Sequence, residues 1–456
     1  MWCGMSKNIA LILALTTLTT SCIVIIQPVK ADVLYIETDG SILETDDIQR
    51  IGDTYIFKKS IKASIFVRKD NITIDGAGYS LQGSGSGKGI LLMWKLNNPI
   101  GISGVTIKNL QINGFEVGIH FEVSYDNIIS NCNITNCNSG ISIFSSSNNT
   151  FSGNYFYNNT CGILFEYSPN NILTNNRFES NIQPLWILEN WINFIDSSNT
   201  INGKPIYYFV NQKDLLINSF AYPEIGYLAL INCTRIIVKD WKCSDSGMGI
   251  IMVQTTDSTI TQNNISNKRR GIYLYSSNNT SIAENQLTNN EYGIYIEGNS
   301  SNTIVGNSII NNRCGVYFCG TVPTQIIYHN NFINNSKNAD ATGWITSPFA
   351  QPEGMHVWDN GYPFGGNYWS DYSGIDANHD GIGDTPYVVS QYLDNTDRYP
   401  LMEPAAVIEL PDGTGETEPF PTLLAVTVTS VAVVAIGFLV SFKKRKYKAE
   451  ITNRGK

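Results

Sequence analysis

The sequence predicts an all-β fold in which the chain winds into a parallel β-helix with coils of about 22 residues, followed by a C-terminal transmembrane helix. Three observations lead to this prediction. A glycine followed by an apolar residue returns every 22 residues, apolar and polar residues alternate after each glycine, and an uncharged apolar run lies near the C-terminus. A repeat of roughly 20 to 50 residues is typical of solenoids, in which each repeat contacts only its neighbours.

The repeat occurs in two sets, each starting at small-apolar pairs. The pairs are Gly118-Ile119, Gly140-Ile141, Gly162-Ile163, Gly249-Ile250, Gly271-Ile272, Gly293-Ile294 and Gly315-Val316. Counted from the glycine, positions 2, 4, 12 and 17 are apolar, and the alternation at positions 2 and 4 has the period of a strand. Each repeat is therefore expected to hold about three short strands separated by Asn, Ser and Gly turns. The stretch from about residue 60 to 335 has room for roughly 12 such coils.

Position 15 of the repeat is occupied mainly by asparagine. These residues are Asn154, Asn176, Asn263, Asn285 and Asn307. Asparagine tolerates left-handed turn geometry, so we expect a turn at this position. In stacked coils the amide of one asparagine can bond to the next, which predicts a side-chain ladder along the solenoid.

The first 31 residues have the pattern of a secretory signal peptide. Lys7 precedes an apolar run from Ile9 to Ile26, and small residues follow, with cleavage expected after Ala31. Because the apolar run is long, an uncleaved signal anchor is an alternative interpretation.

The predicted ectodomain has three parts. Residues 32–66 are expected to form an N-terminal cap, residues 67–335 the β-helix, and residues 336–402 a C-terminal cap. An insertion is expected at about 187–230, because residues 183–186 (QPLW) stand where the next Gly-Ile pair was due. Insertions in solenoids form loops on one face and often carry function.

The C-terminal segments predict a membrane anchor. Residues 403–421 are rich in Pro, Gly and acidic residues and are expected to form a stalk. Residues 422–442 are expected to form a transmembrane helix, since a 20-residue apolar helix spans about 30 Å. The basic tail, residues 443–456, is expected in the cytoplasm by the positive-inside rule. The predicted location is therefore the cell membrane, with a single span and an extracellular ectodomain.

The composition suits an extracellular surface and argues against a nucleic-acid partner. The formal net charge is −9, whereas nucleic-acid binders usually present a basic face. Asn-x-Ser/Thr sequences permit N-glycosylation without demonstrating it. The acceptors are Asn71, Asn133, Asn148, Asn158, Asn232, Asn264, Asn278, Asn279, Asn299 and Asn334.

Residues 376–384 (DANHDGIGD) predict a structural calcium site in the C-terminal cap. Oxygen ligands at alternating loop positions suit Ca²⁺, and a glycine at position 6 permits the sharp turn. The expected ligands are the side chains of Asp376, Asn378, Asp380 and Asp384 and the carbonyl of Ile382. Position 12 is Tyr387 and not the usual glutamate, so the loop is closer to short extracellular calcium loops. The alternative is a turn that binds no ion.

An outward column of aromatic residues is the candidate ligand-binding surface. Position 3 is tyrosine in three successive coils, and position 5 adds further polar groups. The residues are Tyr273, Tyr275, Tyr295, Glu297 and Tyr317. Aromatic faces with hydroxyl groups suit stacking on sugar rings. The alternative is that tyrosine is merely favoured on exposed strand faces.

Several motifs resemble the NosD-like family of β-helix repeat proteins. Besides the repeats, the similar segments are Ile51-Gly52-Asp53-Thr54-Tyr55, RKDNITIDGAGYSLQG, NTINGKPIYYFVNQ and NYWSDYSGIDANHDGIGDTPYVV, the last two being typical of archaeal members. The resemblance covers about residues 34–402. It implies a right-handed single-stranded parallel β-helix, and the family is named for a periplasmic accessory protein in copper-site maturation. A shared fold does not transfer that activity.

Copper handling is not expected from the residues themselves. The four histidines, His120, His329, His356 and His379, are scattered and form no His-x-His pair. Seven cysteines follow the signal, and a structural role is expected for them. Some could form disulfides outside the cell, but because seven is odd, at least one is expected to stay free or to pair between chains.

The predicted function is a cell-surface anchored binding or structural protein that recognises carbohydrate or cell-envelope material. The first alternative is a polysaccharide lyase, hydrolase or epimerase on a β-helix scaffold, although the coils show no recognisable catalytic set. The second alternative is a NosD-type copper-maturation protein.

Overall fold

The solenoid predicted from the repeat is present. The computed structural model describes residues 32–42, 45–93, 101–244, 247–320, 322–340, 356–390 and 395–405. These residues form strands and turns of an all-β, right-handed parallel solenoid. Among them, no helix is long and apolar enough to cross a membrane. The predicted signal peptide, transmembrane helix and basic tail, with residues 406–421 of the stalk, lie outside the described residues.

The first half of the chain forms 21 of the strands in the described part. They are β1 (Asp32–Ile36), β2 (Ile48–Ile51), β3 (Thr54–Phe57), β4 (Ala63–Val67), β5 (Thr73–Asp75), β6 (Ser80–Gln82), β7 (Lys88–Leu92), β8 (Thr106–Lys108), β9 (Gln111–Asn113), β10 (Val117–Glu122), β11 (Ile128–Ser130), β12 (Asn133–Thr135), β13 (Ser139–Phe144), β14 (Thr150–Ser152), β15 (Tyr155–Tyr157), β16 (Cys161–Glu166), β17 (Ile172–Thr174), β18 (Arg177–Glu179), β19 (Gln183–Leu188), β20 (Phe194–Ile195) and β21 (Thr200–Ile201).

The second half continues the numbering. Its strands are β22 (Lys204–Val210), β23 (Leu216–Ile217), β24 (Tyr227–Ile231), β25 (Ile237–Lys239), β26 (Lys242–Cys243), β27 (Met248–Val253), β28 (Thr259–Thr261), β29 (Asn264–Ser266), β30 (Arg270–Tyr275), β31 (Ser281–Ala283), β32 (Gln286–Thr288), β33 (Tyr292–Glu297), β34 (Thr303–Val305), β35 (Ser308–Ile310), β36 (Cys314–Cys319), β37 (Ile326–Tyr328), β38 (Asn331–Ile333), β39 (Lys337–Asp340), β40 (Tyr368–Trp369), β41 (Tyr387–Ser390) and β42 (Asn395–Asp397).

Each coil contributes one strand to each of three sheets. The coil glycine lies close to the next coil: a Cβ built on Gly271 would lie 2.6 Å from the carbonyl oxygen of Gly293. Residues one repeat apart are paired in register, as Ile272 is with Ile294. Both isoleucines are fully buried, so position 2 fills the core as predicted.

The asparagine ladder is confirmed, with one correction. Asn285 Nδ2 donates to Asn307 Oδ1 at 2.9 Å, and Asn263 Nδ2 donates to Asn285 Oδ1 at 2.9 Å. The left-handed residue is the one before the ladder asparagine, such as Glu284 with φ of 56°. The ladder asparagine therefore points inward and forms hydrogen bonds with the buried backbone groups of the turn, while the residue before it adopts the left-handed conformation that bends the chain. Further ladders that the sequence did not predict stand at other corners: Asn127, Asn149, Asn171 and Asn193; Asn159 and Asn181; Asn290, Asn312 and Asn335.

The expected insertion is the place where the strands reverse direction. β22 pairs antiparallel with β21 through a tight turn at Asn202 and Gly203, both with positive φ. β24 and the later strands of this sheet then run parallel to β22. One 13-stranded sheet thus continues through both halves of the chain, with opposite strand directions on the two sides of the turn.

The reversal moves the hydrophobic core to the other face of this sheet. Ile206 and Tyr208 extend the core of the first solenoid, whereas Leu228 and Leu230 belong to a second core. After the turn, the strands of the shared sheet run in the opposite direction. A right-handed solenoid built from these strands can continue along the same axis only if its core lies on the other face of the sheet. Because parallel crossovers are right-handed, the second solenoid is displaced sideways from the first. The face of the shared sheet that points away from the second core is therefore the same face that packs on the core of the first solenoid.

Short antiparallel hairpins close the two ends. β2 pairs with β3 at the N-terminus, and β41 pairs with β42 in the C-terminal cap. In that cap the buried indole of Trp369 donates to Asp397 at 2.8 Å. The cap therefore covers the end of the second core.

Candidate functional site

A cleft of about 560 Å³ lies where the last coil of the first solenoid meets the second solenoid. On one side stands β19, the final strand of the seven-stranded sheet, and on the other the turn that leads into β30. The sideways displacement of the second solenoid brings these two segments together. The lining residues are Thr160, Cys161, Ile182, Gln183, Trp186, Gly247, Asn267, Lys268, Arg269, Asn289 and Glu291.

Trp186 is the aromatic surface of the cleft. In β19 the side chains of Leu185 and Ile187 enter the first core, so strand alternation points Trp186 outward. Its ring is half-buried, and the guanidinium carbon of Arg269 lies 5.0 Å from the ring centre. This contact between the two solenoids is a cation–π interaction.

Two adjacent cations, Lys268 and Arg269, line the opposite side. Lys268 is only 3% exposed, and no hydrogen-bond or ion-pair partner of its ammonium group occurs among the described residues. Its backbone N–H donates to Asn290 Oδ1 at 2.9 Å, so lysine occupies a ladder position that is asparagine in the next coil. Arg269 lies 3.7 Å from the carboxylate of Glu291, which also pairs with Arg313 at 3.0 Å.

The predicted tyrosine column faces away from the second core. The prediction that these tyrosines are exposed is wrong. Tyr273 and Tyr295 are 5% and 8% exposed, and Tyr317 is half-buried. The reason is the reversal, since the outward face of this sheet continues the first core and Trp191 packs 6.3 Å from Tyr273. Burial raises the pKa of all three hydroxyl groups, that of Tyr317 to about 12.

The polar groups of the column bind one another and the first solenoid. The Tyr273 hydroxyl donates to Glu297 at 2.9 Å, and the half-buried Tyr275 hydroxyl lies 3.4 Å from the carboxylate of Glu189. The guanidinium carbon of Arg270 lies 4.4 Å from the ring centre of Tyr273 and 3.8 Å from that of Tyr295. The column therefore forms part of the junction between the solenoids, and its role in ligand binding stays a prediction.

The calcium-type loop is compact and lies in the cap. Asp376 accepts hydrogen bonds from the backbone of Asp380 and Gly381, and Asp384 accepts one from Ala377. The backbone N–H of Ile382 donates to Asp380 and lowers the pKa of that carboxyl group. Asn378 Nδ2 also donates to Asp380, at 3.0 Å. No three His, Cys, Asp or Glu side chains in the described part converge as metal ligands would, and calcium binding stays a prediction.

The glycosylation acceptors and cysteines follow the coil pattern. All predicted acceptors are exposed except Asn264, which is half-buried. Five of the cysteines within the described residues are buried free thiols, namely Cys132, Cys137, Cys161, Cys233 and Cys314. Burial raises the pKa of Cys132, Cys161 and Cys314 to about 12, which keeps them protonated and unreactive.

Sequence reasoning missed the cleft, although two signals for it were present. One is Lys268-Arg269-Arg270, three consecutive cations in an acidic chain. The other is Trp186, which stands in the coil where the Gly-Ile start is absent. The two signals are far apart in the chain, and only the reversal between them makes them neighbours.

Two family models match the chain over ranges that overlap at residues 206–213. A model described as "Right handed beta helix region" matches residues 88–213. A model described as "Periplasmic copper-binding protein (NosD)" matches residues 206–374. No curated protein matches the chain.

Similar solved structures are distant in sequence. The A-module of an Azotobacter vinelandii mannuronan C-5 epimerase is 12% identical with a TM-score of 0.34, covering 67% of this chain and 87% of that chain. The Dettilon tailspike protein is 14% identical with a TM-score of 0.23, covering 61% and 62%. The catalytic domain of a GH87 alpha-1,3-glucanase is 14% identical with a TM-score of 0.28, covering 69% and 59%. Similarities at these values carry no information on activity.

The described residues do not fit a copper centre. His120 lies in β10, His329 contacts the carbonyl of Phe364, and His379 lies in the calcium-type loop. His356 is buried, and its Nδ1 accepts the backbone N–H of Gln325 at 3.2 Å. Burial lowers the pKa of His120 and His356 to about 4. His120 Nε2 lies 3.8 Å from the carboxylate of Glu122, but no group of three His, Cys, Asp or Glu side chains that could hold a metal ion occurs within the described part.

The two family matches meet at β22, the strand with which the chain reverses. The first match covers coils of the first solenoid, and the second covers those of the second solenoid and the start of the cap. With the observed coils, these matches over residues 88–213 and 206–374 support a NosD-like family of right-handed parallel β-helix repeat proteins for this chain.

Proposed function

We propose that this protein binds carbohydrate at the cell surface and that the cleft between the two solenoids is its glycan site. The observation that carries the proposal is the composition of the cleft. A half-buried Trp186 ring stands there beside the side-chain amides of Gln183, Asn267 and Asn289 and the charged groups of Lys268 and Glu291.

Each of these groups matches a feature of a sugar. The apolar face of a sugar ring packs on an aromatic ring, and its hydroxyl groups exchange hydrogen bonds with amides and charged groups. The volume of about 560 Å³ lies within the range of small-molecule pockets. A pocket with one aromatic surface and a few convergent polar groups is typical of ligand sites.

The proposed location rests on the terminal segments of the sequence. A signal at residues 1–31 and an anchor at residues 422–442 would place the solenoids outside the cell with the tail in the cytoplasm. Calcium, which is abundant outside cells, is proposed as a structural ion of the loop at residues 376–384.

A glycan array probed with the full-length protein tests the proposal. Trp186→Ala should abolish binding or weaken it about tenfold or more, because the apolar area that a sugar ring covers on the indole contributes roughly 25 cal/mol per Å². The matched control is Tyr79→Ala, which removes another exposed aromatic ring in the first solenoid, remote from the cleft. If the wild-type protein bound no glycan, or if Trp186→Ala bound as the wild type does, the cleft would not be a glycan site.

A further inference from the structure

We infer that the cleft recognises an acidic sugar, whose anionic group is bound by Lys268 with the assistance of Arg269. This inference rests on the proposed glycan site and adds the charge class of the ligand. The shared chemistry is a monoanionic group, either a carboxylate or a sulfate, on a sugar residue that stacks on Trp186.

The first argument is a nearly buried lysine side chain that lines the cleft without an ion pair. Lys268 is 3% exposed and lines the cleft, yet no carboxylate of the described residues lies within ion-pairing distance of it. The ammonium group is the part of Lys268 that stays in contact with the water of the cleft, and charged groups in such enclosed positions are normally paired. An anion that entered the cleft would supply the missing partner and would therefore be bound preferentially.

The second argument is what lysine replaces. In the following coils the same ladder position is held by Asn290 and Asn312, whose side-chain amides donate to the buried carbonyls of Ile265 and Leu287. Lysine keeps only the backbone bond of this ladder, to Asn290 Oδ1. The coil therefore gives up stabilising hydrogen bonds at the one ladder position that lines the cleft, as is expected of a residue retained for binding.

The third argument is the local charge balance. The cleft carries two cations, Lys268 and Arg269, against the single carboxylate of Glu291, which is shared with Arg313 outside the cleft. At the edge of the cleft, the guanidinium of Arg270 lies over the rings of Tyr273 and Tyr295, and its Nε has no hydrogen-bond partner in the described structure. The chain as a whole has a net charge of −9, so the cleft is a local positive site on an acidic protein. Low-dielectric walls strengthen such a local field.

Binding of the full-length protein to three polymers tests the inference. Polygalacturonate supplies carboxylates, dextran sulfate supplies sulfates, and dextran is neutral; affinity gel electrophoresis measures all three. We expect wild-type protein to bind at least one anionic polymer about tenfold or more tightly than dextran, because a hydrogen bond to a charged group contributes roughly 1.5–3 kcal/mol. Whichever anionic polymer binds more tightly identifies the group as carboxylate or sulfate.

Lys268→Met removes the charge and keeps the length of the buried side chain. We expect it to lose about tenfold in affinity for the anionic polymer, with dextran unaffected. Because a buried substitution can disturb folding, Arg269→Gln at the half-exposed neighbour should show a loss in the same direction. The control is Lys62→Met, which removes an exposed lysine from the first solenoid.

The outcomes separate this inference from the proposed function. If neutral glycans bound through Trp186 and Lys268→Met left every affinity unchanged, the charge inference would be overturned and the glycan site would stand. If anionic polymers bound equally well to Lys268→Met and Arg269→Gln, the inference would be overturned as well. If no glycan of any charge bound, the proposed function itself would fail.

Discussion

Replacing Asn285 by alanine should remove a complete rung of the asparagine ladder. The side chain of Asn285 has five hydrogen-bonding partners: its Nδ2, with two hydrogens, lies within reach of Ile260 O, Ala283 O and Asn307 Oδ1, and its Oδ1 accepts from the backbone N–H and Nδ2 of Asn263. Asn285 is 1% exposed, so water cannot replace these bonds without opening the coil.

The expected loss in the free energy of unfolding is about 3–5 kcal/mol. A buried hydrogen bond contributes roughly 1 kcal/mol net, and an orphaned buried donor costs roughly 1–3 kcal/mol. After the substitution the buried backbone N–H of Asn263 has lost its acceptor, while Asn307 Oδ1 still accepts from the backbone of residue 285. A loss of this size is comparable to that caused by substitutions that disrupt a protein core.

Urea unfolding followed by far-UV circular dichroism measures this loss in the full-length protein. Gln286→Ala is the matched control, because the neighbouring side chain is exposed and should change the free energy of unfolding by less than about 0.5 kcal/mol. Hydrogen exchange adds a local readout, since the amide of Asn263 should lose protection before distant coils do. If Asn285→Ala lowered the free energy of unfolding by less than about 1 kcal/mol, the conclusion that the ladder stabilises the solenoid would be refuted.

Two further predictions concern the C-terminal cap. Burial raises the pKa of Asp397 to about 6, above that of an unfolded aspartate, so the folded state binds this proton more tightly and gains stability as the pH falls from about 8 to about 5. Over this pH range the carboxyl group of Asp397 should add about 1 kcal/mol to the free energy of unfolding. Thermal melting of Asp397→Asn should not show this gain. If the melting temperatures of both proteins depended on pH in the same way, the raised pKa of Asp397 would be contradicted. Chelation of calcium is expected to lower the melting temperature of the wild-type protein, and Asp376→Asn should abolish that response. Melting unchanged by chelator would mean that the loop is a turn without an ion.

The coil itself could be predicted from the sequence because its causes are local. The alternation at positions 2 and 4 selects strands, the glycine at position 1 permits close approach to the next coil, and polar turns separate the strands. Each coil contacts only its neighbours, so a regular repeat needs no long-range information. The ladder at Asn285 was predictable for the same reason.

The reversal at Asn202-Gly203 was only partly visible in the sequence. Asn-Gly is a strong hairpin signal, because both residues readily adopt positive φ. The effect of that hairpin on the core was not visible. In β24 every residue is buried, three facing the first core and two the second, so alternation cannot say which face belongs to which core. The prediction that Tyr273 and Tyr295 are exposed failed for this reason.

By itself, the sequence determined the coil length, the strands and the inward residues, and it indicated membrane segments at both ends. Only the tertiary structure decided that the solenoid is two solenoids sharing one sheet. The physical reason is chirality: once the strands reverse, a right-handed winding requires the core to change faces. That displacement sets Trp186 against Lys268 and Arg269, which lie far from it in the chain, and so forms the cleft.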